Sequence, residues 1–580
     1  MLFPRTTALL AASIALTLPR AAGAQESAPP VPAAPSASTG DAVVVEPKPD
    51  HLARLAFDDG RPRVLPPEEG LIRLQIHGEY ELRVNRMQSF PLDPTFSTAL
   101  AHPGAVSDSL GQNTWLDHWF RIMPRLQIGK TLELVGQMDV LTGLVAGDVA
   151  HDVWTDQTPR DSTNGLSNVQ PRWLYLDWLS PIGLFRVGQQ PNHWGMGLVA
   201  NDGDHASLFG DYRFGSISDG LLFGTKPMGK DGPLTVALGA QYVWKDPTVV
   251  LSRGDRAVQG VLAAYVERGL NQIGVYGVYR HQWNNETSAE PLFTYATSLN
   301  VAVLDAAGKF ATRVVGNEAW LYGSAEVATI LGSTNEIRTQ AESLSGQRTN
   351  IRSYGGAAQL GVVHVAKDVE IPDGALARES AGSPIDWGDI AAQIELGYAS
   401  GDADPYGDTQ KRFTFDPNHK VGLLLFDEVM RFETARAAVA AQDPRLQNAA
   451  RPTPGVNLLP SNGGVFGAEY INPTVIVRPR PWLDLKGGMV IAQTTADFVD
   501  PYRYATQGSP VNYNGGTAAK HDLGEEFDVG FEARAVTEYG ICFNVGAQAG
   551  VLIPGGAFDD PNGNRMQAPW IAIGRFGVMF

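Results

Sequence analysis

Residues 71–87 read LIRLQIHGEYELRVNRM. Ile72, Leu74, Ile76, Gly78, Tyr80, Leu82 and Val84 alternate with Arg73, Gln75, His77, Glu79, Glu81, Arg83 and Asn85. Apolar or small side chains fall on one face and polar ones on the other, which is the period of a β-strand. The run is also long. Strands of soluble proteins typically hold about 5–6 residues, whereas a tilted strand crossing a bilayer needs about 9–11.

The same alternation predicts strands at 71–86, 115–129, 131–145, 170–180, 183–190, 218–226, 234–245, 257–268, 272–283, 294–305, 318–331, 353–367, 387–400, 467–479, 482–494, 524–538, 541–553 and 568–580. Along the chain the connections alternate in length. Long ones include 87–114, 146–169, 191–217, 332–352, 401–466, 495–523 and 554–567; short ones include Gly129-Lys130, Ser180–Gly183, Gly269–Asn271, Arg478–Pro481 and Tyr539-Gly540. Short turns at one end and long loops at the other are the habit of bacterial outer-membrane barrels. Lys367–Asp386 breaks the parity, being long where a short turn is due. The expected fold is all-β, a transmembrane antiparallel up-and-down barrel of 16–18 strands. Closure is required in lipid, because every backbone N–H and C=O must find an internal partner.

Composition fits this reading. The 580 residues carry 18% charge, 43% hydrophobic residues, one cysteine (Cys542) and a net charge of -17. A lone cysteine excludes a disulfide scaffold, and the negative balance excludes nucleic acid as a partner. The mean hydropathy of -0.13 is what an apolar outer face and a polar inner face average to. Trp115, Trp119, Trp173, Trp178, Trp244, Trp283, Trp320, Trp387, Trp482 and Trp570 suit interfacial girdles.

The first 24 residues read as a secretory signal: Arg5, an apolar core Thr6–Leu18, and Ala22-Gly23-Ala24 as the cleavage site. Residues 25–70 are Pro- and Ala-rich and are expected to be a disordered periplasmic segment. The barrel then occupies 71–580, with a long loop insertion at 401–466. The expected location is the bacterial outer membrane.

The last strand reads WIAIGRFGVMF, with Trp570, Ala572, Gly574, Phe576, Val578 and Phe580 on one face. Here the chain resembles outer-membrane β-barrel porins as a class. The resemblance implies that Phe576, Val578 and Phe580 carry the signal read by the barrel-assembly machinery. The segments RVGQQ (186–190) and GYASGD (397–402) are similar to alginate-export-type 18-stranded porins.

A barrel of about 18 strands is wide enough for an aqueous lumen. The polar faces place Arg73, Arg83, Arg121, Arg125, Arg172 and Arg186 on one wall, interleaved with Glu133, Asp139 and Asp177. Glu395, Asp528 and Glu532 make the remaining wall acidic. Such charges either set ion selectivity or pair with one another and fill the lumen. A basic wall confined to the first strands does not match a polyanion such as alginate.

Gln189–Gly210 reads QQPNHWGMGLVANDGDHASLFG and suits a loop folded inward as a constriction, with His193, Trp194, Asp202, Asp204 and His205 toward solute; an external loop is the plain alternative. Asp402, Asp404 and Asp408, and Asp559, Asp560, Asn562 and Asn564, have oxygen ligands for calcium but lack the EF-hand pattern. Turn chemistry accounts for both, so no metal and no cofactor is assigned. Leu424–Gln442 has helical propensity and suits a plug in the largest loop.

The functional expectation is a porin-like channel, monomeric or trimeric, for passive diffusion of small hydrophilic solutes such as saccharides or anions. The alternatives are an adhesion or structural barrel and an outer-membrane hydrolase. No G-x-S-x-G or H-E-x-x-H motif supports the hydrolase, and the in-strand His77, His118, His281 and His364 read as polar lumen residues.

Overall fold

The computed structural model describes residues 72–89, 114–147, 169–205, 207–211, 215–229, 232–250, 255–284, 297–315, 319–335, 348–365, 388–405, 407–441, 461–480, 482–537 and 541–580. The signal peptide, segment 25–70, Lys367–Asp386 and Trp387 lie outside them.

Eighteen long strands form one closed antiparallel sheet. They are β1 Ile72–Gln88, β2 Thr114–Ile128, β3 Leu132–Gly147, β4 Gln170–Ser180, β5 Gly183–Pro191, β6 Ile217–Thr225, β7 Leu234–Asp246, β8 Asp255–Arg268 and β9 Asn271–Asn284. They continue as β10 Thr297–Val315, β11 Ala319–Thr334, β12 Thr349–Val365, β13 Gly388–Ala399, β14 Ala468–Arg480, β15 Leu483–Thr494, β16 Asp522–Val536, β17 Cys542–Pro554 and β18 Trp570–Met579. Each pairs with its sequence neighbours, and β1 pairs with β18 to close the wall, from Glu79 opposite Met579 to Gln88 opposite Trp570. The strands on either side of 366–387, β12 and β13, pair antiparallel, so the parity break leaves the count of strands unchanged.

The alternation of 71–87 is a division between two solvents. Ile72, Leu74, Ile76 and Val84 are exposed on the outside of β1, while Glu79, Glu81, Arg83 and Asn85 are buried inside. The same holds around the wall, where Leu174, Val187, Leu238, Leu262, Val275, Leu304, Val327, Leu360, Ile394, Val475, Val529 and Val545 stand exposed. An exposed apolar band this continuous is what lipid requires of a barrel's outer face.

Several aromatic and histidine positions differ from expectation. Trp115, Trp119 and Trp320 are buried on the inner face. Trp115 Nε1 donates to Asp117 Oδ2 at 3.1 Å, and the Arg121 guanidinium lies 4.4 Å from the Trp119 ring centre. Trp115 and Trp119 serve buried charges, not the membrane interface. Trp178 and Trp482 are exposed on the outside. Conversely, His118, His281 and His364 share the parity of the outward residues: His118 meets Tyr80 edge-on, His281 stacks on Trp283, and His364 is exposed beside Asp389.

The apolar core lies inside the barrel. After β13 the chain turns inward and forms a π-helical turn, Leu425–Met430, that runs into helix α1, Arg431–Ala441. This is where the sequence predicts helix. Phe413, Phe415, Leu424, Phe426 and Phe432 are fully buried there. A second short helix, α2 Pro501–Gln507, is capped by Asp500, whose side chain accepts from the Tyr502 and Arg503 amides.

Candidate functional site

The site is the lumen, and two segments of chain occupy it. The first is 192–216, between β5 and β6. The wall is short here, β5 and β6 having 9 residues each, because the chain leaves the sheet at Asn192 and crosses the interior. Trp194 Nε1 donates to Asp305 Oδ1 on β10 at 3.1 Å, and the Leu198 amide to Glu326 Oε1 on β11 at 3.2 Å. On the opposite wall the Gly210 amide donates to Gln548 Oε1 on β17 at 3.2 Å. Segment 192–211 therefore spans the lumen.

Three of the six arginines read from sequence, Arg83, Arg121 and Arg172, hold this segment. Arg121 donates to Asp139 Oδ1 at 2.7 Å and to Asp204 Oδ1 at 2.9 Å. Arg172 Nη2 donates to the Asp202 carbonyl at 2.7 Å. Arg83 binds Asp117 at 2.8 Å and also Asp211, which accepts a 2.8 Å bond from Arg575. Arg186 forms a two-bond pair with Asp177, at 2.7 and 2.8 Å, and Arg125 lies 3.5 Å from Glu133. Arg73 is on the inner face nearest the short-turn end. The pairing favours the reading in which these charges neutralise one another. Buried guanidinium–carboxylate pairs need this much hydrogen bonding to offset their desolvation.

Trp194 and Phe209 pack where the wall has no side chain. A Cβ on Gly274 of β9 would lie 2.8 Å from the Trp194 ring, and one on Gly488 of β15 would lie 2.8 Å from the Phe209 ring. His193 and His205 stack with ring centres 3.9 Å apart. His205 Nδ1 lies 2.9 Å from Asp202 Oδ1. The two imidazoles pull the Asp202 carboxyl well below its usual range against the effect of burial, whereas burial raises that of Asp204.

The second occupant is the inward part of the 400–467 connection. Glu526 on β16 accepts from the Leu424 and Leu425 amides, both at 2.7 Å, and from that of Leu423. It thereby satisfies the amide donors at the start of the helical run. Asp528 lies two residues further along the same inner face. Glu395 on β13 accepts from Tyr470 Oη at 2.6 Å and lies 3.0 Å from His419 Nε2. The two occupants touch: the Asp416 amide donates to the Leu198 carbonyl at 2.6 Å, and His419 Nδ1 lies 3.2 Å from the Met196 carbonyl. Burial pushes the Asp416 carboxyl up to about 7. The neighbouring Glu395 carboxylate holds the His419 imidazole above its usual value, despite burial.

Sequence reasoning missed Asp211, His419 and Tyr470. Glu526 lies at an inward position of β16 and was readable as a lumen acid, but not as a helix anchor. Among the described residues, a polar recess inside the barrel is lined by Glu81, Lys486, Glu532, Asn544, Gln548 and Arg575. Lys486 stands 3.5 Å from Glu532 there.

The Asp-rich segments are turns. Asp402 accepts from the amides of Asp404 and Lys411, and Asp560 from those of Asn562 and Asn564. On β18, Phe576 and Phe580 are exposed on the outer face beside Val578. Phe580 pairs with Gly78 through both backbone bonds, at 2.9 and 3.0 Å. Its ring lies over Gly78, where any Cβ would strike it.

No family model matches the sequence, and no curated protein matches it. Among solved structures the chain is similar to OccAB1 of Acinetobacter baumannii, at 8% identity over 89% of this chain and 98% of that one, with a TM-score of 0.43. It is also similar to OccK5 (OpdH) of Pseudomonas aeruginosa, at 9% identity over 87% and 97%, with a TM-score of 0.40. OpdL of the same organism gives 9% over 88% and 98%, with a TM-score of 0.41. At this identity and superposition the likeness transfers neither a solute nor a residue role.

Proposed function

We propose that the chain is a porin-like channel of the bacterial outer membrane, passing small hydrophilic solutes by diffusion and performing no chemistry. The supporting observation is the two-sided wall: one closed sheet, apolar outside and lined inside by charged and amide side chains. Segments 192–211 and 407–441 narrow the path. The charged lining positions the first of these segments through Arg83, Arg121, Arg172 and Arg575, and sets selectivity through Glu81, Lys486 and Glu532 of the recess. Lipid contacts the exposed apolar band. Phe576, Val578 and Phe580 present the assembly signal, residues 1–24 direct export with cleavage after Ala24, and the channel works as a monomer or trimer.

Planar-bilayer recording of the refolded protein tests this. The expected result is a small single-channel conductance that rises several-fold when a short Gly-Ser linker replaces 193–210. No conductance in either form rejects the channel. It would favour the second reading, a filled barrel that displays its loops to outside partners, for which the burial of 413–437 inside the wall speaks.

A further inference from the structure

Segment 192–216 brings two imidazoles and a carboxylate to one point. The ligand atoms of His193, Asp202 and His205 all lie within 4.8 Å of one another. His205 Nδ1 and His193 Nδ1 stand 2.9 and 3.8 Å from the same Asp202 oxygen. We propose that these three residues form a site for one divalent transition-metal ion of the zinc, copper or nickel kind, which staples the start of the inward segment to its middle.

The donor set selects the class of ion. Imidazole nitrogen suits zinc, copper and nickel, while calcium and magnesium take oxygen. Tetrahedral coordination at about 2.0–2.1 Å places ligand atoms about 3.4 Å apart. Small side-chain rotations therefore bring these three together, and solvent supplies the remaining positions. Access exists, since the His193 and His205 side chains keep 16% and 22% of their exposure.

The backbone carrying the ligands is fixed in advance. Beside His193, the Asn192 side chain donates to Ser218 Oγ at 2.8 Å and accepts from Gln241 at 3.1 Å. On the other side Trp194 is held by Asp305 and stacks on Tyr276 with centres 5.2 Å apart. Around Asp202, its carbonyl accepts from Arg172, its carboxylate accepts from the Asp204 amide at 2.9 Å, and Arg121 holds the Asp204 side chain. Outer partners that orient ligands in this way are a mark of built metal sites. The site does not depend on solute passage through the barrel.

The test uses the full chain, refolded in detergent and stripped with chelator. Calorimetric titration with Zn²⁺ should show one equivalent bound, with no comparable binding of Ca²⁺. The double variant His193→Ala/His205→Ala should weaken Zn²⁺ binding by about 100-fold or more, and His205→Gln alone should weaken it by less. The paramagnetic resonance spectrum of the wild-type protein with one equivalent of Cu²⁺ should show coupling to two imidazole nitrogens, a readout that needs no variant to fold. Absence of Zn²⁺ binding, undiminished binding in the double variant, or a Cu²⁺ spectrum without nitrogen coupling overturns the proposal.

Discussion

Two segments share one lumen and are held there by opposite physics. Segment 192–216 is tied at many separate points by charges and hydrogen bonds to β2, β4, β10, β11, β17 and β18. Segment 407–441 is held by a contiguous apolar mass around Phe413, Phe415, Phe426 and Phe432, with Glu526 capping its helical start. A strap of ion pairs can release one end at a time. An apolar plug comes out only as a unit, because its packing contacts are shared. The strap is therefore the segment suited to respond to solute or salt, whereas the plug answers to pH through Asp416 and His419 and otherwise stays put.

The most damaging change to this contrast is Phe432→Ala. It leaves a cavity in the plug and should cost about 3–5 kcal/mol, read as lost amide-exchange protection across 424–437 with the strap unchanged. Next is Arg121→Gln, which takes from Asp139 its nearest buried partner and from Asp204 its tie to the wall and should loosen the strap by about 3 kcal/mol, seen as noisier bilayer currents and faster exchange near Asp204. If this variant also exposes the plug, the two segments are one cooperative unit.

The third prediction concerns pH. Asp416 titrates at about 7 in the folded plug, far above the usual carboxyl range, and His419 is also raised. In each case the folded form holds a proton the released form gives up more readily. The stabilisation is full below the released-state values and fades as pH rises through the folded ones. Plug protection against proteolysis should thus fall as pH rises through about 7, and Asp416→Asn should flatten that profile. The smallest expected effect is that of Gly488→Ala, which presses on Phe209 and should destabilise the strap by about 1 kcal/mol. An unchanged strap would show that Phe209 has room to turn.

The wall was legible in the sequence because each strand meets two solvents, and that contrast is written residue by residue, as from Ile72 to Asn85. Even the errors were readable. Trp115 and Trp119 share parity with Asp117 and Arg121, which marks them as inward, while His118 shares parity with Leu116 and Phe120. The lumen's contents were less legible. Gln189–Gly210 carried a local signal in its glycines and aromatics, but its anchors did not. Asp211 meets Arg575, and Phe209 meets Gly488, pairs far apart along the chain with no periodicity to connect them. The wall's own acids pair Arg83, Arg121, Arg125 and Arg186, but the further partners Asp204 and Asp211 come from the inward strap and were not readable as such.

The closing seam has a kinetic consequence. β1 is among the first strands and β18 the last, so the bonds between Gly78 and Phe580 join residues about 500 apart. Contacts of such sequence separation form slowly, since the loop-closure entropy precedes their reward. Until β18 is paired with β1, both edges of an otherwise complete sheet stand open, and open edges invite pairing with other chains. The vulnerable state of this protein is therefore the nearly finished one. The fit of Phe580 over Gly78 is the event that ends it.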